Sequence, residues 1–250
     1  MIEIKEISKS FDANMILNNI SSKFIKGKTN LIIGQSGSGK TILLKCLLGL
    51  HIPDSGEIIY DGVSNKNMTD TQKTLLRREM GMVFQGSALF DSMTVLENVM
   101  FPLQMLTKKQ DDEIIQKAEN AIYRVELNKA KYKLPSELSG GMQKRVAIAR
   151  AIVMNPKYLF CDEPNSGLDP KTAIVIDNLI QEITKEYDIT TVINSHDMNS
   201  VMEIGEKIIF LENGIKNWEG TNKEVFSTKN KSITDFVYSS ELLKKVKKFL

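Results

Sequence analysis

The sequence predicts an α/β fold, a core of buried strands carrying an inserted helical lobe. Three observations predict it. Short, continuously apolar, β-rich runs recur at 31–33, 158–161 and 190–193, the reading of parallel strands covered on both faces. A glycine-rich loop at 34–39 joins the first of these runs to a helical pattern. Between the runs lies a charged segment, 107–128, with Ile114, Ile115, Ala118, Ala121, Ile122 and Val125 at helical spacing.

The elements follow in order. Ile2, Ile4 and Ile7 alternate with polar residues over 2–7, a half-buried strand. Residues 40–50 form a helix that stops near Gly49 and Pro53. Residues 55–62 read as a short strand bounded by turns, and 70–80 and 107–128 as charged helices. The pattern is helical again over 141–154 and 171–187. Two apolar runs, 208–211 and 215–218, flank Glu212-Asn213-Gly214, a hairpin signal. No internal repeat or low-complexity segment interrupts this order.

Composition narrows the function. With 250 residues, 42% hydrophobic and 26% charged, the chain is one large domain or two small ones and is not a disordered protein. Lys+Arg at 33 against Asp+Glu at 31 lacks the basic excess of a nucleic-acid binder. Residues 231–250 hold five Lys against one Asp and one Glu, so the body is neutral and the tail basic. Cys46 and Cys161 sit in apolar runs and read as buried, unpaired thiols of a reducing compartment. Two His and two Cys argue against a zinc site. The N-terminus is charged at every second or third position, unlike a signal peptide. No run approaches the ~18 apolar residues of a membrane span, so the chain is expected not to cross a bilayer.

Gly34, Gln35, Ser36, Gly37, Ser38, Gly39, Lys40 and Thr41 match G-x-x-x-x-G-K-[ST], with a strand before and a helix after. Glycines let successive N–H groups turn inward onto phosphate oxygens, and the helix N-terminus adds its dipole. Lys40 reaches the β/γ-phosphates and the Thr41 hydroxyl suits Mg²⁺. The strand at 158–161 delivers Asp162 and Glu163 to its C-terminal end, where α/β sheets place ligands. Asp162 suits an outer-sphere magnesium ligand, and Glu163 the group that polarises an attacking water. An acidic turn after a strand is the ordinary alternative, weakened by the phosphate loop.

Leu138-Ser139-Gly140-Gly141-Met142, followed by Lys144-Arg145-Val146-Ala147-Ile148-Ala149-Arg150-Ala151, resembles the signature motif of ABC-transporter ATPases. Physically it is also a Ser-capped helix start whose N–H groups face an anion. The resemblance covers residues 1 to about 225. It implies a P-loop NTPase (RecA-like) core over 1–86 and 155–225, with a small antiparallel β subdomain. It also implies an α-helical subdomain over about 87–154. Residues 226–250 are left as a basic amphipathic extension. Phe11 takes the place of the aromatic that stacks on adenine, with a core Phe as the alternative. Gln85 resembles the Q-loop glutamine that touches Mg²⁺, Asp169 the D-loop aspartate and His196 the switch histidine. The resemblance further implies that Ile42 lines the nucleotide site beside Thr41. The departures are Met142 for the usual Gln, Asn165 for Thr or Ser, and Ile42 for a frequent Thr or Ser.

The resemblance implies ATP and Mg²⁺ as cofactors. It implies a homodimer closing head to tail across two ATP, with Ser139, Gly140, Gly141 and Asp169 facing the nucleotide of the other subunit. It also implies a separate transmembrane permease and a peripheral location on the cytoplasmic face of the cell membrane. Residues 85–103, with Met142 and the run after His196, look most like the ATPases of Mla/MCE-associated lipid transporters (MlaF-like). MCE-domain and small accessory proteins are then further partners. An importer ATPase for a small polar solute and a soluble, non-transport ABC ATPase remain as alternatives. In the tail, Leu242, Leu243, Val246, Phe249 and Leu250 share one helical face opposite four lysines, in expectation an element that docks on a partner, with packing on its own domain or contact with an anionic bilayer as the alternatives.

Overall fold

The structure is a computed structural model, and it describes residues 1–12 and 14–238. The amphipathic pattern expected over 239–250 lies outside the described residues. In chain order the elements are β1 (Ile2–Phe11), β2 (Asn14–Phe24), β3 (Thr29–Ile33), α1 (Lys40–Leu47), β4 (Ser55–Tyr60) and β5 (Val63–Ser64). Then come α2 (Asp70–Arg78), β6 (Met80–Val83), α3 (Val95–Leu106), α4 (Asp111–Arg124), α5 (Gly140–Ile152), β7 (Tyr158–Asp162) and α6 (Pro170–Glu186). The chain continues through β8 (Thr190–Ser195), α7 (Met198–Ile204), β9 (Lys207–Glu212), β10 (Ile215–Gly220) and α8 (Lys231–Val237). It divides into two compact units, 1–67 with the chain from 192 onward, and 68–191.

The first unit holds an antiparallel sheet in the order β2-β1-β4-β5. Ile2 pairs with Phe24 on one side and Tyr60 on the other. Ile2, Ile4, Ile7, Leu17, Ile20 and Phe24 fill its buried face. β1 runs four residues past the alternating pattern of 2–7. Glu6 adopts φ 53° and the register slips between Ile4 and Ile7, a bulge that breaks the two-residue period. β3 pairs parallel with β9, from Asn30 with Lys207 to Ile33 with Phe210. β9 and β10 form the expected hairpin, with Asn213 at φ 49° and Gly214 at φ 76°, the left-handed pair its tight turn requires. α8 lies beyond the domain end expected at 225. Its Ile233 and Val237 are buried and Phe236 packs on Phe210 of β9 at 5.2 Å.

In the second unit β6 and β7 are parallel, Met80 facing Tyr158 and Val83 facing Cys161. α5 crosses β6 closely: a Cβ on Gly81 would sit 2.3 Å from the Ala151 carbonyl. α4 buries Ile114, Ala118, Ala121 and Ile122, the face read from its periodicity. α3 has no counterpart among the expected elements. A capping box of Thr94 and Glu97 starts it, and it runs through Pro102. The buried Asn98 ties its first turn down, its amide bonding the Phe90, Met93 and Thr94 carbonyls.

Candidate nucleotide-binding site

In the first unit the fully buried β3 delivers its chain into the loop 34–39 and on into α1. Gly34 has φ +152°, and a Cβ there would lie 2.2 Å from the Leu211 carbonyl oxygen. Gly39 has φ +101°, and a Cβ there would meet Leu17 at 2.8 Å. These two glycines press the loop onto β2 and β9, while Gly37 at φ +80° meets nothing within 4 Å. Lys40 is buried and its ammonium donates to the Gly34 and Gln35 carbonyls, each at 3.0 Å. Ser38 Oγ is buried with no hydrogen-bond partner among the described residues. That buried hydroxyl without a protein partner, beside the open space at Gly37, fits a loop that receives a polyphosphate.

Gln35, Ser36 and Thr41 are exposed around the loop, and Ile42 is half-buried on α1. Phe11, at the end of β1, is 38% exposed, with His51 against its edge at 5.3 Å and 71°. His196 follows β8 and is exposed. The next residue, Asp197, caps α7 by accepting the Asn199 amide at 2.9 Å. Cys46, on the inner side of α1, is a free buried thiol pushed up to about 11 by burial.

In the second unit β7 buries four residues and then presents Asp162 half-buried. Glu163 follows at φ +46°, a left-handed conformation that a non-glycine residue holds only when its surroundings impose it. Gln85 Nε2 donates to Glu163 Oε2 at 2.9 Å and reaches Ser166 Oγ at 3.4 Å. The structure thus brings together two residues read separately from sequence. Using Nε2 as the donor leaves Gln85 Oε1 as a hard oxygen donor. Among the described residues no group of three or more His, Cys, Asp or Glu is arranged for a metal. Gln85 Oε1 and the Asp162 carboxylate are oxygen donors of the kind that Mg²⁺ takes.

Ser139 caps α5, its Oγ accepting the Met142 amide at 3.3 Å. Gly140 and Gly141 form the first turn. A Cβ on Gly141 would come 2.7 Å from Thr172 Cγ2 of α6. Asp169 caps α6 through the Lys171 and Thr172 amides at 3.1 and 3.0 Å. The Thr172 hydroxyl and these amides hold its carboxyl below its usual range. The departure at Asn165 is accommodated by Asp177: both are buried, and the Asn165 amide donates to Asp177 Oδ2 at 3.2 Å.

Two basic residues of α5 were not singled out from sequence. Lys144 is buried and donates to the Gln85 carbonyl; desolvation pushes its ammonium down, with Cys161 and Glu163 opposing. Arg150 donates to the Ser87 and Ala88 carbonyls, each at 2.8 Å. Ser87 and Ala88 adopt φ +62° and +46°, so the guanidinium holds a backbone that two consecutive non-glycine residues otherwise resist. The available signal was two cations six residues apart on a helix buried over most of its length.

Residues 17–166 match the family model described as ABC transporter. The methionine import ATP-binding protein MetN of Clostridium tetani is 41% identical over 97% of this chain and 76% of its own length. The arginine transport ATP-binding protein ArtM of Bacillus subtilis is 38% identical over 95% of this chain and 98% of its own. The dimeric ATP-binding cassette MJ0796, solved with ADP and Pi, superposes with a TM-score of 0.79 at 33% identity, over 89% of this chain and 99% of its own. A cbiO1 subunit from Clostridium perfringens superposes at 0.85 with 30% identity, over 98% of each chain. The phosphate loop, the Ser-capped glycine turn of α5 and these likenesses together carry one conclusion: the chain belongs to the ABC transporter family, as an ATP-binding, ATP-hydrolysing subunit on a P-loop NTPase fold.

Proposed function

We propose that this chain powers the import of a small polar solute of the amino-acid class through a separate membrane permease. The supporting observation is the end-to-end likeness to ArtM, 95% of this chain against 98% of that one, with MetN and the L-cystine import ATP-binding protein TcyC of Bacillus subtilis beside it. The lipid-transporter reading rested on residues 85–103 and Met142. The amino-acid transport ATPases among these relatives favour the importer reading instead, and no MCE-domain partner is needed for it. No helix among the described residues is long and apolar enough to cross a membrane; a separate permease and a place at the inner face of the membrane are part of this proposal.

The residues divide the work. Lys40 and the 34–39 amides bind the β- and γ-phosphates. Thr41 and Gln85, with Asp162 in the outer sphere, would hold Mg²⁺, which would neutralise phosphate charge. Glu163 accepts a proton from the attacking water, and His196 contacts the γ-phosphate. Phe11 stacks on the adenine. Two chains pair head to tail, so that Ser139, Gly140, Gly141 and Asp169 complete the nucleotide site of the other subunit. Catalysis is then mostly positioning and charge stabilisation of the transferring phosphoryl group.

Uptake in cells lacking this chain tests the solute. Labelled methionine, arginine and cystine are offered in parallel with labelled phospholipid. Loss of one amino-acid uptake, restored by the wild-type chain but not by Glu163→Gln, is the expected result. Normal amino-acid uptake with lost lipid movement sinks the reading.

A further inference from the structure

Phe11 ends β1, and three polar side chains that the established activity does not use surround its ring. Asp54, in the loop after α1, grips the strand on both sides of Lys9. Its amide donates to the Ser8 carbonyl at 2.9 Å, and its carboxylate accepts the Ser10 amide at 2.7 Å. The other carboxylate oxygen accepts the Lys9 ammonium at 2.6 Å. Held there, Lys9 Nζ lies 5.2 Å from the centroid of the Phe11 ring, over its face. His51, from the same loop, meets the ring edge-on at 5.3 Å. Yet 38% of Phe11 stays exposed. A ring positioned on a face and an edge but left open is not packed as core.

We propose that the Lys9–Asp54 pair positions Phe11 and tunes its open face to stack on the adenine base, so that both residues set base affinity without touching the nucleotide. The inference rests on the reading of Phe11 as the base-stacking residue. Aromatic faces carry negative charge density, which makes face-to-face stacking on a second π-system partly repulsive. A cation over one face draws that density toward itself and leaves the opposite face better suited to a purine. Asp54 makes the arrangement stable: the Lys9 and Ser10 hydrogen bonds hold its carboxyl below the usual range, so the carboxylate stays charged at neutral pH. The 51–54 loop leaves α1, the helix that begins at Lys40. The base platform and the phosphate cradle are thereby joined through one short stretch of chain.

Binding to the full-length chain tests this with two probes, ATP and inorganic tripolyphosphate, which engages the phosphate loop but carries no base. Lys9→Met and Asp54→Asn are expected to weaken ATP about three- to fivefold and leave tripolyphosphate unchanged. Lys9→Arg is expected to keep wild-type affinity, and Lys9→Met to have no further effect in a Phe11→Leu background. If Phe11→Leu weakens ATP while Lys9→Met does not, the inference fails and the base-stacking reading stands. If Phe11→Leu leaves ATP binding unchanged, the base-stacking reading fails. Equal loss of both probes in Lys9→Met shows a general loosening of the fold and also overturns the inference.

Discussion

The phosphate loop of the first unit and the Gln85–Glu163 network of the second are built by different means. The loop is shaped by sterics: Gly34 and Gly39 stand where a Cβ would come within 2.2 and 2.8 Å of neighbouring atoms, and its lysine is folded back on its own carbonyls. The network is shaped by side-chain hydrogen bonds. Gln85 is exposed and holds Glu163 through one amide proton, while Lys144 holds the Gln85 carbonyl and Arg150 the Ser87 and Ala88 carbonyls that follow it. Sterically built sites cannot rearrange without unfolding locally, whereas a hydrogen bond at an exposed side chain exchanges with water at little net cost. A permanent binding surface and a switchable catalytic one are the difference this construction predicts. The first follows from backbone packing and the second from polar contacts.

The comparison breaks first at Glu163. Glu163→Gln keeps the Gln85 contact available but removes the carboxylate proposed as the base, so turnover is expected to fall about 10²- to 10³-fold while ATP affinity holds. Single-turnover hydrolysis and equilibrium binding on the same preparation check it, and near-normal turnover would remove Glu163 from its role. Ser139→Arg comes next. It places a bulky cation at the capped start of α5, and turnover is expected to fall at least about tenfold. Nucleotide binding by the isolated chain is expected to be unchanged, since the proposal assigns Ser139 to the other subunit's site. Normal hydrolysis would end the head-to-tail assignment.

Lys144→Met sharpens the contrast with a smaller effect. It removes the donor to the Gln85 carbonyl and leaves that carbonyl short of a partner, a cost of about 1–3 kcal/mol. The expected result is a kcat reduced several-fold with KM unchanged, because Gln85 and Glu163 lose definition while the phosphate loop does not. A raised KM with normal kcat would mean that the two constructions are not separable.

How much of this was legible in the sequence follows the same division. The phosphate loop could be read because the residues that make it, the glycines, the lysine and the helix start, lie within eight positions, even though the strands its glycines press on lie far along the chain. The caps by Ser139 and Asp169 are local too. Lys144 and Arg150 could not, since their partners lie 59 to 63 residues away in the chain, and only tertiary folding pairs a helix cation with a loop carbonyl. β2 was missed because Asn19 at positive φ and the slipped register against β1 scramble its alternation. Pro102 hid α3 by placing a helix breaker inside a helix. The Lys9–Asp54 pairing spans 45 residues and was invisible for the same reason as the α5 cations.

The smallest effect separates the units by their thiols. Each half keeps one buried cysteine behind its site, Cys46 in α1 and Cys161 in β7. Burial raises both: Cys46 to about 11, and Cys161 beyond it, with Asp177 and Asp162 adding to the burial. A pKa raised in the folded state means that the native chain holds the proton longer than the unfolded one, so this stability is complete below about pH 8.5 and declines above it. For Cys46 the loss runs from about pH 9 to about pH 11 and reaches roughly 2 kcal/mol by pH 10.5. Urea unfolding at pH 8 and pH 10.5 measures it. Cys46→Ala is expected to lose about 2 kcal/mol less than the wild type between the two pH values, whatever its stability at pH 8, because the comparison cancels the cavity left by the missing sulfur. Cys161→Ala is expected to show at least as large a difference, since its thiol is pushed further. An alkaline loss unaltered by either substitution would show that the thiols titrate alike in the folded and unfolded chains and that neither site is backed by the apolar packing described for it.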